Sequence, residues 1–343
     1  MNKFTKIKDF HGSRLMGVGS SDIPVLAGLL KNYGATTMKL WEEKTGRRDR
    51  WEGNTRTEWG NKLEGIVLAE FIKNHFGEDA ADRYMRYKRR GMSYGNLHTN
   101  TSCTHPVNSF CLAHADLVIT EDEDEPVIIE AKTAGMMSGK RREGKIFTGY
   151  DPDDLTSQGI PDSVFLQVQW QMYVYGIKKA YVCVLIDTSD YREYGPIDAD
   201  VKVQEKCLAL AEQFWRLIET DQTPQPETWD DVQSLYPYKT DTTAIVAGDN
   251  EIVVREMKKR DKKLMAEISD REDERKEIKN SIGVLLGGNM ILSSQEGEIL
   301  AKQSEVNSET VSLSMIKKEA PEIEKQLREK GLINKSQSKR LTF

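Results

Sequence analysis

The sequence predicts an α/β (α+β) fold: a central mixed sheet flanked by helices, with a helix-and-hairpin extension at the carboxy-terminal end. Two observations predict the core. Short apolar runs rich in β-branched residues, FCLAHADLVI (110–119), VIIEAK (127–132) and AYVCVLID (180–187), read as strands. Segments with helical spacing lie between and around them, the pattern of one sheet covered by helices. A third observation sets the extension apart. From Asn250 to Leu286 the composition turns to dense mixed charge with apolar residues at Met257, Leu264, Ile278 and Leu285, spaced at multiples of seven. Residues 1–240 are therefore read as the core, 241–286 as a linker and long charged helix, and 287–343 as a small extension.

Along the chain, GSSDIPVLAGLL reads as a helix start with Ser20 or Ser21 as cap, Asp22 in the first turn and Pro24 near that end. A second helix, from about Thr57 to His75, is marked by Leu63, Ile66, Val67 and Phe71, with Trp59 a turn earlier and Glu64 inside it. The acidic stretch TEDEDEP makes a hairpin turn between the strands at 110–119 and 127–132. A helix over 162–176 precedes the strand at 180–187, another runs from about Lys202 to Thr220, and TPQPETWDDVQSLYP is a proline-bearing connector. In the long charged helix Arg271 interrupts a thin apolar seam, which argues against an extended coiled coil. Beyond it lie a hairpin in NMILSSQEGEILAKQ turning at Glu296-Gly297, a helix ending at Gly331 and the basic tail KSQSKRLTF.

Composition excludes several classes. With 38% hydrophobic and 30% charged residues the chain is ordinary for a soluble globular protein. No apolar run approaches the roughly 20 residues of a bilayer span, and MNKFTKIKDFHG lacks a signal-peptide core, so an intracellular protein with no membrane partner is expected. Cys103, Cys111, Cys183 and Cys207 match no zinc or disulfide spacing and are read as idle thiols. The net charge of −6 speaks mildly against nucleic-acid binding by the whole surface, but RYKRR (86–90) and GKRREGK (139–145) are local basic patches.

The chemistry concentrates in PVIIEAKTAG. Alternation along a strand puts Glu130 and Lys132 on one face, and an antiparallel pairing through the acidic turn brings Asp116 beside them. Two carboxylates on one small face repel each other, and a divalent cation removes the conflict. Hard oxygen donors suit Mg²⁺, with Mn²⁺ as a substitute, and Lys132 can orient or deprotonate water and offset transition-state charge. On the helix that follows, Gln167 and Gln171 are four apart and share a face.

Asp, then Glu-x-Lys, is the pattern of the PD-(D/E)XK nuclease superfamily, whose core is restriction-endonuclease-like. The resemblance goes further: SRLMGVGSSDIPVLAG, EWGNKLEGIVLAEF, HADLVI with VIIEAKTAG, and FLQVQWQMYVYG occur in the order seen in phage alkaline exonucleases. Over roughly residues 10–190 the chain resembles the YqaJ-type viral recombinase family, to which phage lambda exonuclease is related. That resemblance implies catalytic roles for Glu64, Asp116, Glu130, Lys132 and Gln167, and metal ligation by Asp116, Glu130 and the backbone carbonyl of Ala131. It implies a 5′-phosphate site at Arg14, Ser20 and Ser21, which the expected helix start, with its free N–H groups, would suit.

The implied function is a Mg²⁺-dependent 5′-to-3′ exonuclease on double-stranded DNA ends that leaves 3′ overhangs. A single-strand annealing protein as partner, a homo-oligomer (a ring among the options) and the cytoplasm of a bacterial or phage-infected cell go with it. Three readings compete: a catalytically silent DNA-binding scaffold, an endonuclease with the same site, and a charged coiled-coil adaptor that explains only residues 250–286. An iron–sulfur nuclease would need a cysteine set bracketing the core, which the scattered cysteines do not provide. The extension at 241–343 departs from lambda exonuclease, which ends soon after its nuclease core.

Overall fold

The computed structural model describes residues 14–49, 51–120, 125–134, 159–187, 189–236, 248–303 and 312–333. The acidic turn at 121–124, the basic patch at 139–145 and the tail at 335–343 lie outside the described residues. The chain divides into two compact units, Met1–Lys239 and Thr240–Phe343.

In the first unit a short helix α1 (Ile23–Leu26) is followed by α2 (Thr37–Lys44), α3 (Thr55–Phe76) and α4 (Glu78–Lys88). The sheet then forms from β1 (Leu97–Thr104), β2 (Leu112–Ile119), β3 (Val127–Ala134), β4 (Lys179–Ile186) and β5 (Asp190–Asp198), in that spatial order. Only β3 and β4 are parallel, and α5 (Asp162–Tyr175) lies between them in the chain, as a parallel pair needs a crossover. Helices α6 (Val201–Glu219) and α7 (Trp229–Leu235) complete the unit.

Both faces of the sheet are covered. Val118, Ile128, Val182 and Val184 pack with Val164, Val168 and Met172 of α5. Leu117, Ile119, Ile129 and Cys183 pack on the other face with Leu68, Phe71 and Ile72 of α3 and Tyr84 of α4. Burial on two sides explains why β3 and β4 read as continuous apolar runs rather than alternating ones. A third cluster joins Val18, Ile23 and Trp41 to Trp170 of α5 and Phe214 of α6.

Strand β1 was not expected, because its buried positions include Thr99, Thr101 and Ser102. Two of these hydroxyls have partners inside the protein: Thr101 Oγ1 lies 3.0 Å from the Tyr175 hydroxyl and Ser102 Oγ 3.1 Å from the His114 ring. The short helix α1 also differs from expectation. Asp22, not a serine, is its N-cap, and α1 spans only four residues. The Asp22 carboxylate instead accepts from Gly19 N (2.8 Å) and pairs with Lys44 (2.8 Å), which also donates to Gly17 O. Gly17 permits this arm to lie against β2: a Cβ there would stand 2.3 Å from Phe110 O, while Val18 exchanges backbone bonds with Phe110 and Leu112.

The proline-bearing connector is a lock. Asp231 of α7 accepts from Thr36 Oγ1 (2.8 Å) and from the N–H groups of Glu227 and Thr228, and Glu227 accepts from Thr37 N. The amino-terminal ends of α2 and α7 are thereby tied together by one buried carboxylate.

The second unit holds α8 (Asp249–Leu286), the hairpin β6 (Ile291–Ser293) and β7 (Ile299–Lys302), and α9 (Leu313–Glu319) and α10 (Pro321–Glu329). No helix among the described residues is long and apolar enough to cross a membrane.

Asp231 resists burial through its hydrogen bonds, which outweigh desolvation and hold its carboxyl below the usual range. A depressed folded value means its stabilisation is present above the unfolded value, about 3.9, and is lost as pH falls through the folded one. Asp231→Asn is expected to cost about 2 kcal/mol at pH 7, from a lost cap and unsatisfied donors. Urea unfolding across pH checks this; the gap from wild type should narrow below pH ~4. A chain ended at Lys239 is expected to unfold cooperatively in the same assay, since the first unit holds all three clusters above.

Candidate active site

Strands β2 and β3 pair at Leu117–Ile129, Val118–Ile128 and Ile119–Val127, and the ladder goes no further. Where the next residues would pair, the carboxylate of Asp116 accepts the Ala131 N–H at 2.9 Å. On the other side of β2, the pairs Thr99–Leu117 and Thr101–Ala115 flank Asn100, which takes φ 48° opposite Asp116. The sheet therefore opens at Asp116. Because the N–H and C=O of one strand residue point to the same neighbour, the Ala131 carbonyl faces this gap too.

Glu130 and Lys132 share the face of β3 that meets α5, as alternation predicts. Lys132 Nζ donates to Glu130 Oε1 at 2.6 Å and to Gln167 Oε1 at 3.0 Å. Gln167 Nε2 donates to the same Glu130 oxygen at 2.5 Å. Gln171 Nε2 donates to Glu130 Oε2 and to His114 O, both at 2.7 Å. Glu130 is 2% exposed, and these donors satisfy both of its oxygens.

Three carboxylates crowd the cleft. Burial foremost, then the charges of Glu130 and Glu64, push the Asp116 carboxyl well above its usual range, against the pull of Lys132 and the Ala131 N–H. Burial works against the Lys132 charge, yet the Glu130 and Asp116 carboxylates more than offset it and leave the ammonium more basic than usual. Glu64 reaches the cleft from α3 and is held by Lys88 of α4 at 2.7 Å. Lys88 thus leaves the basic patch RYKRR and turns inward, while Arg86, Arg89 and Arg90 stay exposed.

The structure brings together Glu64, Asp116, Glu130, Ala131, Lys132 and Gln167. Ser20 is buried, Ser21 is exposed, and Arg14 lies in a 3-10 turn, Arg14–Met16. A four-residue α1 whose N-cap, Asp22, makes no side-chain cap bond offers no anion site of its own.

Two residues went unassigned in the sequence. Gln171 fixes the second oxygen of Glu130, and Tyr175, another turn on, donates to Thr101 O at 2.6 Å. The four-residue spacing of Gln167, Gln171 and Tyr175 is the signal that could have found both. The cysteines hold no site: Cys111, Cys183 and Cys207 are buried and all four are free, with burial pushing Cys111 up to about 12. A separate cavity of about 480 Å³, lined by Phe71, His75 and Tyr181 among others, contains none of the predicted site residues.

A mixed sheet that opens beside an Asp, a Glu-x-Lys and a helix glutamate agrees with the nuclease class, and the chain is an enzyme of that class by its family match. Residues 9–178 match the model of the YqaJ-like viral recombinase domain, and over that stretch the chain belongs to the family. Among solved structures it is similar to an alkaline exonuclease from Laribacter hongkongensis, at 16% identity and TM-score 0.39, covering 62% of this chain and 92% of that one. It is also similar to a phage-related exonuclease from Haemophilus somnus 129PT, at 15% identity and TM-score 0.36, covering 60% and 96%. No curated protein matches the sequence.

Gln171→Leu is expected to remove donors from Glu130 and His114 and cost about 1–3 kcal/mol in urea unfolding. Turnover should fall with KM little changed, because the loss acts on the position of Glu130 rather than on substrate contact. Steady-state kinetics on a defined duplex check the split.

Proposed function

We propose that the chain is a divalent-metal-dependent exonuclease that digests double-stranded DNA from 5′ ends and leaves 3′ single strands for an annealing partner. The observation that carries the reading is the convergence of three acids, an ammonium and a glutamine where the β2–β3 ladder ends. Family membership over residues 9–178 supports it.

The donor set fits a hard cation. Among the described residues no three His, Cys, Asp or Glu side chains form a ready-made cage. The cleft instead offers the Asp116 and Glu130 carboxylates and the Ala131 carbonyl, the few oxygens that suit Mg²⁺, or Mn²⁺ in its place. Two buried atoms of the residues around it, Gln171 Oε1 and the Tyr84 hydroxyl, have no hydrogen-bond partner. A bound ion would supply positive charge at a phosphate oxygen.

The chain's own groups have distinct tasks in this reading. Lys132 presents its ammonium to the developing charge at phosphorus. Gln167, bonded to both Lys132 and Glu130, orients the attacking water. Glu64 adds the third carboxylate, and Lys88 keeps it in place. Arg14 with Ser20 and Ser21 receives the 5′-phosphate, with Ser21 the more accessible of the serines.

Asp116→Ala and Glu130→Ala are each expected to abolish hydrolysis while DNA binding persists, and Lys132→Ala to lose at least ~10²-fold. The assay is digestion of linear duplex labelled at one 5′ or one 3′ end, with Mg²⁺ or EDTA, and with a 5′-phosphate or 5′-hydroxyl. Release from the 5′ end only with Mg²⁺, faster when phosphorylated, is the expected result, and Arg14→Ala should shrink the phosphate preference. Internal cuts would replace the exonuclease by an endonuclease, and binding without hydrolysis by wild type would leave a scaffold.

A further inference from the structure

Helix α8 runs 38 residues, about 57 Å, and only Leu286 at its end is buried. Most of its exposed apolar residues share one line. Val254, Met257, Leu264, Ile268, Ile278 and Ile282 recur at alternating three- and four-residue steps of one heptad seam, and each is more than a third exposed. Three charged residues, Asp261, Arg271 and Arg275, occupy the remaining seam positions between them. They decide what can cover it.

We propose that α8 pairs antiparallel with α8 of a second copy of this chain, joining two molecules about a two-fold axis near residue 266. In a parallel, in-register pair every seam residue meets its own copy. Asp261 would face Asp261, Arg271 would face Arg271 and Arg275 would face Arg275, three layers of like charge. An antiparallel pair instead sets the two alternating seam positions against each other, and two-fold symmetry makes each contact occur twice.

With Asp261 opposite Arg271 of the second copy, the opposite charges meet. The same register puts Val254 on Ile278 and Leu264 on Ile268, apolar on apolar, and Met257 beside the aliphatic stem of Arg275. Sliding the pair by one heptad in either direction separates Asp261 from every arginine of the seam.

The residues that border the seam agree with this register. It juxtaposes Glu251 with Lys279, Lys258 with Glu272, and Arg260 with Glu274 of the second copy, all of opposite sign. One contact opposes it, Glu267 with its own copy near the axis, where Lys263 lies 3.8 Å from Glu267 within each helix. Arg271, which interrupts the seam of a lone helix, becomes the residue that sets its register, the use for which a polar seam residue is best suited. This assembly involves none of the active-site residues and stands apart from the nuclease reading.

The test uses the full chain and light scattering across a dilution series. Wild type is expected to be a dimer, and Asp261→Arg to weaken it by at least ~10-fold, since it sets arginine against arginine at two places. Combining Asp261→Arg with Arg271→Asp exchanges the charges and should restore the dimer. In a Cys103→Ser background, Val254→Cys and Ile278→Cys chains should cross-link when mixed but not when alone. A monomeric wild type, an assembly indifferent to Asp261→Arg, a double exchange as weak as the single change, or self-cross-linking by either cysteine variant alone would each overturn the proposal.

Discussion

The arrangement depends on one substitution of hydrogen bonds: a carboxylate takes the place of a strand. After Leu117–Ile129 the β2–β3 ladder stops, and Asp116 Oδ2, not a backbone carbonyl, accepts the Ala131 N–H at 2.9 Å. A buried donor left unmatched there would cost about 1–3 kcal/mol, so some acceptor is obligatory once the strands part. Supplying it from a side chain lets the sheet open without an orphaned amide, and it delivers a charge to the opening. The adjacent carbonyl of Ala131 is freed by the same event. A continuous ladder would have consumed both.

That opening creates an electrostatic debt that the rest of the cleft resolves. Glu130 is buried beside Asp116, and an isolated buried carboxylate is far too costly to persist as a charge. Lys132, Gln167 and Gln171 together direct four hydrogen bonds at it or at one another. The ammonium comes from the same strand, so the E-x-K spacing is a requirement of burial as much as of chemistry. The glutamines come from α5, and this helix must lie on that face because the parallel β3–β4 pair requires a crossover. Topology and the electrostatics of the cleft are therefore one constraint seen at two scales.

The sequence made the acids legible and their supports much less so. Asp116, Glu130 and Lys132 announce themselves because charges in apolar runs are rare, and alternation fixes their face. Gln171 looks like an ordinary helix glutamine until its partner, His114 O, is known, and backbone acceptors leave no mark in sequence. Lys88 read as part of a basic surface patch, because only the packing of α4 on α3 turns it toward Glu64. Strand β1 escaped notice since a buried threonine paired to a tyrosine looks polar. The start of α1 misled for a related reason: two serines before Asp22 resemble a cap, but Lys44, distant in sequence, draws the Asp22 carboxylate into a different set of bonds.

The overall charge of −6 says little about the surface around the cleft. Glu130 is buried and bonded by Lys132, and Glu64 is matched by Lys88, so these acids are answered within the site. In the second unit, many acids of α8 stand three or four residues from a base, as in Glu251–Arg255, Arg271–Glu274 and Lys276–Asp273. Charges compensated so locally are screened within about a Debye length, ~8 Å at physiological salt, and repel a distant phosphate little. Arg86, Arg89 and Arg90, by contrast, are exposed on the chain that leaves α4, close in sequence to the lysine that holds Glu64. Whole-chain charge is thus a poor guide here, because these acids are paired or buried while Arg86, Arg89 and Arg90 stay exposed.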